Sequence, residues 1–266
     1  MTTKALFREG LKHLLPAPLF WRFLAWRVGY FDPELKLIHQ LCDRRKVSVD
    51  IGASIGSYTV HLLNCSRKCY AFEPRPDSAA YLAERLAARP NPRLNVQTVA
   101  LSDRTGHAQL RVVTHDTGRS SIERENPVEQ LGAVEVLTVP TRCLDDYDSI
   151  ESVGCIKIDV EGHEDAVLRG ARRILLRDHP SLLIEIEERH KRHSVSTVDR
   201  FLGGLGYRGF FYRRNRLHPI DRFRVEEHQN VSNIAGNVGG ESRYVNNFLF
   251  FAGEALPKVQ HLIDEN

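Results

Sequence analysis

The sequence predicts an α/β fold built on a mostly parallel, helix-covered sheet. From Lys46 onward short apolar runs alternate with amphipathic stretches, the order that joins parallel strands through helices. Residues 47–51 read as a buried strand and 181–186 as another, each a run of apolar or small residues carrying a single acid, which suits a sheet covered by helices. The length of 266 residues, with 42% hydrophobic and 27% charged side chains, suits one such domain with an extension and needs no disulfide or structural metal.

Residues 1–45 read as an N-terminal helical extension and 46–266 as the main domain. In the extension Phe7, Leu11, Leu14 and Leu15, then Phe20, Phe23 and Leu24, fall on helical spacing among Lys4, Arg8, Lys12, Arg22 and Arg27. Two basic amphipathic helices separated by Pro16 and Pro18 fit this pattern: a cap packed on the core, with peripheral membrane contact as the alternative. Residues 47–51 form the first strand, a helix runs through Tyr58, Leu62 and Leu63, and 68–72 form the second strand. Asp77 or Ser78 can cap the next helix, whose apolar row is Ala79, Leu82, Ala83, Leu86 and Ala87. Residues 95–101 make a third strand, and 108–114 with 134–141 a small antiparallel insertion. The fourth core strand is 155–159, followed by one helix carrying Val167, Leu168, Ala171, Ile174 and Leu175. A fifth strand spans 181–186 and a short helix 198–205. Strands at 209–212 and 247–251 flank an Arg- and Gly-rich excursion.

Composition narrows the function. The 37 basic residues are 29 Arg and 8 Lys, and against 34 acidic residues they leave only +3, so no nucleic-acid partner is expected from net charge. The five cysteines include no Cys-x-x-Cys pair, which points to a reducing compartment and buried thiols rather than a zinc site. His61, Cys65 and Cys69 recur four apart and read as packed residues. Without an 18-residue apolar run or a signal-peptide pattern, the cytoplasm is expected, with the inner membrane surface as an option for the basic helices.

Three motifs carry the chemistry. Asp50-Ile-Gly52-Ala53-Ser54-Ile-Gly56 lies where a strand turns into a helix, so the backbone can approach a ligand closely. Ser54 replaces the middle glycine of a dinucleotide fingerprint and Asp50 would repel a pyrophosphate, whereas the cationic S-adenosylmethionine suits it. Glu73-Pro74 ends the second strand, one βαβ unit on, where an acid accepts hydrogen bonds from ribose hydroxyls. Ser102 and Asp103 are expected to converge there, with Tyr58 at the start of the helix. Asp159, Glu161 and His163 cluster after the fourth strand, where a substrate would meet the cofactor.

These residues resemble the FkbM-type methyltransferases. Asp50–Gly56, Tyr70-Ala-Phe-Glu-Pro74, Ala100-Leu-Ser-Asp103, Ser120-Ser121, Leu144-Asp145 and Ile156-Lys-Ile-Asp-Val-Glu-Gly162 occur in that family's order, and Leu168-Arg-Gly-Ala171 and Leu183-Ile-Glu-Ile186 continue it. Ser54 stands where the family more often has Asn, and the position of His163 varies. The resemblance implies a Rossmann-like class I methyltransferase fold with a seven-stranded sheet. It also implies S-adenosylmethionine as cofactor, held by Asp50, Gly52, Ala53, Ser54, Gly56, Tyr58, Glu73, Pro74, Ser102 and Asp103. The reaction it implies is O-methylation of a hydroxyl on a sugar, glycan or glycosylated natural product. A non-catalytic nucleoside- or partner-binding module is the alternative.

A sugar hydroxyl is a poor nucleophile near neutral pH, so Asp159, Glu161 and His163 are the candidate catalytic residues. Glu185 could join Asp159 around a divalent metal, a version not favoured because no dedicated ligand motif is present. Glu187, His190 and His193 read as a solvated charged turn. Arg208, Arg213, Arg214, Arg216, Arg222 and Arg224 form the densest basic stretch, either a solvated hairpin or the anchor of an anionic, sugar-containing acceptor.

Overall fold

The computed structural model describes residues 33–86, 93–116, 118–236, 244–253 and 255–264. The basic helices expected within the first 32 residues lie outside this range. An eight-stranded sheet forms the centre. Its strands are β1 (Val47–Ile51), β2 (Lys68–Phe72), β3 (Leu94–Gln97), β8 (Val153–Ile158), β9 (Ser181–Glu185), β10 (Arg208–Arg213), β11 (Arg216–Pro219) and β12 (Asn247–Phe251), in the order β11-β10-β12-β9-β8-β1-β2-β3. The five strands β3, β2, β1, β8 and β9 are mutually parallel. β12 runs antiparallel between β9 and β10, so β10 shares the direction of β9.

Seven of these strands match the expectation; β11 is the addition. It arises from the Arg-rich excursion, where Arg214 and Asn215 both adopt positive φ, 52° and 60°. Two successive left-handed residues make the tight turn whose twist suits a two-residue hairpin. The arginines around it are largely engaged locally. Arg213 pairs with Glu227 at 2.9 Å, and Arg216 donates to the His261 carbonyl at 3.0 Å.

The antiparallel insertion is a separate four-stranded sheet. β5 (Gly106–Val113) and β7 (Val134–Arg142) pair along their length, flanked by β6 (Ser120–Ser121) and β4 (Ala100–Leu101). The expected third strand is therefore two: β3 stays in the main sheet, while β4 crosses to pair with β7.

Helices cover both faces. α1 (Ile38–Leu41), α2 (Thr59–Cys65) and α8 (Ala255–Val259) share one apolar cluster, in which Leu35, Leu37 and Ile38 meet Leu62, Phe251 and Val259. The last described residues of the expected extension are thus part of the core. Cys65, Cys69 and Cys155 are buried free thiols in the same cluster. α3 (Pro76–Leu86) starts on Pro76 rather than from an Asp77 or Ser78 cap, and Asp77 instead pairs with Arg75.

The single helix expected after the fourth core strand is broken into α4 (Glu164–Arg169) and α5 (Arg172–Asp178). Gly170 and Ala171 separate them, and a Cβ at Gly170 would lie 2.0 Å from the Ser102 carbonyl oxygen, so only glycine fits there. Asp145 then caps α5 from a distant loop, accepting the Arg173 and Ile174 N–H groups at 2.7 and 3.0 Å. α6 (Ser194–Gly203) packs on α4, and α7 (Val225–His228) follows β11 in the chain. Among the described residues no helix is long and apolar enough to cross a membrane.

Candidate active site

A cleft of about 330 Å³ opens at the carboxyl ends of β1, β2, β8 and β9, where open α/β sheets bind ligands. Its floor is the turn after β1. Gly52 (φ 78°) sits so close to β8 that a Cβ would fall 1.8 Å from the Asp159 carbonyl oxygen. The Gly52 and Ala53 N–H groups donate to the Phe72 carbonyl, and the Asp159 N–H to the Ile51 carbonyl. Three strand ends are thereby tied into one rigid rim.

Glu73 is the most firmly fixed of the candidate binding groups. It is 6% exposed, and its carboxylate accepts the Ser54 N–H at 2.7 Å and the Arg75 N–H at 2.9 Å. Burial pushes its pKa up to about 7, with those two N–H groups pulling the other way. Ser54 reaches its donor position through a left-handed backbone, φ 49°. Ala53, Tyr58 and Pro74 line the same cleft.

Of the other expected cofactor residues, Asp50 lines the cleft, whereas Gly56, Ser102 and Asp103 do not. Asp50 borders the cleft but is 1% exposed, and its carboxylate accepts the Thr59 hydroxyl. Burial raises its pKa to about 6 against the pull of Thr59 and Lys157. It buttresses the turn rather than presenting a free charge. Gly56 (φ 89°) shapes the turn through its N–H bond to the Ala53 carbonyl and is not among the cleft's lining residues. Ser102 and Asp103 are also outside the lining, although Ala100 and Leu101 of β4, just before them, belong to it. Ser102 Oγ lies 2.9 Å from His163 Nε2, while Asp103 pairs with Arg169 at 3.2 Å.

On the opposite wall Asp159, Glu161 and His163 do come together, joined by Lys157 and Glu185. Lys157 is 1% exposed; its ammonium donates to Asn247 Oδ1 at 3.1 Å and to the Ile158 carbonyl, and lies 4.8 Å from the Tyr58 ring centre. Burial, then the neighbouring Asp159 charge, raise Glu185 well above the ordinary carboxylate range. Among the described residues no group of three or more His, Cys, Asp or Glu side chains is placed to hold a metal ion.

The turn at Glu187 and His190 is not solvated. Glu187 and His190 are 4% and 6% exposed, and His190 Nε2 stands 3.0 Å from Glu161 Oε2. Beside them Glu123 pairs with Lys191 at 3.0 Å and faces His163 Nδ1 at 3.6 Å. The His163 ring and Lys191 bring Glu123 down to about 2 despite burial. The cleft is completed by the insertion, which contributes Leu110, Arg119, Ser120 and Ile122. Of these, only Ser120 carried any signal in the sequence.

A glycine turn and a buried acid at successive parallel strand ends define a class I methyltransferase-like α/β protein. The Methyltransferase FkbM domain matches residues 50–209, and the chain belongs to that family. It is similar to the hexuronic acid methyltransferase AglP of Haloferax volcanii, 27% identical over 56% of this chain and 61% of that protein. It is also similar to the 2-O-methyltransferase NoeI of Sinorhizobium fredii, 31% identical over 48% of this chain and 58% of that one. The chain thus spans about three fifths of the length of these curated relatives. A methyltransferase FkbM structure from Methylobacillus flagellatus shares the fold, with a TM-score of 0.51 at 16% identity over 87% of this chain and 58% of that one.

Proposed function

We propose that the protein is an S-adenosylmethionine-dependent O-methyltransferase acting on a hydroxyl of a sugar-containing acceptor. The observation that supports it is the sharing of one cleft by two sets of groups: Glu73 and the Gly52–Ser54 turn on one side, Asp159, Glu161 and His163 on the other. The residues present fit the cofactor. Two backbone N–H groups fix the Glu73 carboxylate, leaving its other lone pairs for ribose hydroxyls. When bound, S-adenosylmethionine supplies an electrophilic methyl group on a sulfonium.

The chain's own residues do the rest. Asp159 and Glu161 orient the acceptor hydroxyl and take its proton as the oxygen attacks. Leu101, Leu110 and Ile122 keep water from the reacting atoms. Six carboxylates (Asp50, Glu73, Asp116, Asp159, Glu161, Glu185) line the cleft against Arg75, Arg119 and Lys157. Such a wall favours hydroxyl donors, so an anionic acceptor enters with its charge turned away from it. The sugar-directed names of the two relatives support the acceptor class.

The test is transfer of labelled methyl from S-adenosylmethionine to p-nitrophenyl β-D-glucuronide and to the matching glucoside, beside calorimetry of cofactor binding. Transfer to either sugar is expected. Tight cofactor binding without transfer would instead favour a non-catalytic nucleoside-binding module, and no binding would overturn both readings.

A further inference from the structure

Glu161 is held by an unusual number of independent contacts. It has a left-handed backbone (φ 53°) and is followed by Gly162 at φ 104°. For a residue with a side chain that conformation costs about 1–2 kcal/mol. Its carbonyl accepts the Ser121 hydroxyl at 2.7 Å and the Asn126 amide at 2.8 Å, both donors being at most 3% exposed. The next N–H, of Gly162, is bound by the buried Glu164 at 2.8 Å. The antiparallel insertion thus fixes the backbone, while His190 holds the carboxylate from the other side of the wall.

His190 is equally fixed. Nε2 lies 3.0 Å from Glu161 and 3.7 Å from Glu187. Glu187 is itself clamped by Arg189 at 2.6 and 2.7 Å and by the Tyr244 hydroxyl. His190 also borders a second cleft, formed with Glu125, Lys191 and Gln229. Among the cleft's candidates His163 is differently placed, with Ser102 on one ring nitrogen and Glu123 facing the other.

We propose that Glu161 takes the proton of the acceptor hydroxyl and that His190 is a positioning residue whose ring nitrogen holds the Glu161 carboxylate aimed into the cleft. This rests on the methyltransferase reading. In the step, the acceptor oxygen forms its bond to the methyl carbon while the carbon–sulfur bond breaks. The electron pair of that bond goes to sulfur, the hydroxyl proton goes to Glu161, and water later removes it. The charges facing His190 are Glu161, Glu187, Arg189 and Glu164, with Glu123 packed across Gly162. Burial pulls the imidazole down, but Glu161 and Glu187 outweigh it and the net direction is upward.

Histidine carbon-13 NMR, with the His190 signal assigned by its loss in His190→Gln, tests the pair without turnover. Glu161→Gln should lower the His190 midpoint by about one pH unit or more. An unchanged midpoint overturns the proposal. On whichever p-nitrophenyl sugar is methylated, His190→Ala should cost about tenfold or more in kcat, and His190→Gln, whose amide can still donate to Glu161, should restore part of it. Cofactor affinity should stay at the parent value. A Gln variant no more active than the Ala variant also overturns the proposal, since that is what mere loss of packing produces. If neither sugar is methylated, the acceptor reading fails, and the NMR titration decides the pair independently.

Discussion

The backbones of Gly52 and Asp159 touch: a Cβ on Gly52 would stand 1.8 Å from the Asp159 carbonyl oxygen. The turn proposed to approach the cofactor and the strand end proposed to present the catalytic acids are therefore one rigid unit. Gly52→Ala would both force a side chain into φ 78° and drive Asp159 away. The expected outcome is a loss of ~3 kcal/mol or more in urea unfolding, together with loss of cofactor binding. A variant with parent stability and affinity would show that the two strand ends are free to separate.

Glu73 gives a pH signature. Burial raises its pKa to about 7, and ribose hydroxyls donate best to the ionised form. Cofactor affinity should therefore rise as pH increases through about 7 and level off above it. Glu73→Gln should flatten this dependence. At pH 8 it should weaken binding by one to two orders of magnitude, at ~1.5–3 kcal/mol for a hydrogen bond to a charged group. Calorimetry from pH 6 to 8.5 checks both; a parent affinity independent of pH would refute the role.

What was legible in the sequence is what is local. Asp50–Gly56, Glu73 and Asp159–His163 each sit within one strand-to-helix turn, so spacing alone places them on one edge of the sheet. The Glu161–His190 and Glu123–Lys191 pairs join segments far apart in the chain, and in isolation His190 reads, with Glu187 and His193, as a solvated charged turn. The expected third strand divides because β4 leaves the main sheet, a choice made by pairing with β7 rather than by local pattern. The eighth strand was missed because Arg214–Asn215 makes a left-handed turn without glycine.

Glu164 links the site to stability. It is 2% exposed, and burial raises its pKa to about 7, above its unfolded value of 4.5. A raised folded-state pKa means its favourable contribution is complete below about 4.5 and is lost as pH rises through about 7. The stability advantage of the parent over Glu164→Gln should accordingly be larger at pH 5 than at pH 8. The difference is at most ~3 kcal/mol, because each tenfold gain in proton affinity on folding is worth ~1.4 kcal/mol. Urea unfolding at the two pH values measures it, and a constant difference would mean the acid is already ionised when folded at pH 5.

The contact of Ser102 with His163, 2.9 Å apart, separates a supporting imidazole from a base. If His163 only shapes the wall, His163→Ala should cost at most about tenfold in kcat, well short of the ~10²–10⁴-fold assigned to a general base. Ser102→Ala should cost a similar amount, and the double variant no more than the worse single one, because both break the same contact. Glu161→Gln should instead lose ~10²–10⁴-fold in kcat with cofactor affinity intact, since it removes the proton acceptor while keeping the side chain's shape. Asp159→Asn should fall between these and act mainly on acceptor KM, because Asp159 shares its end of the cleft with Glu185, which burial and the Asp159 charge hold toward the protonated form. Steady-state kinetics of the five variants on a methylated sugar provides the comparison. A loss for His163→Ala as large as that for Glu161→Gln, and additive with Ser102→Ala, would transfer the role of base to the imidazole.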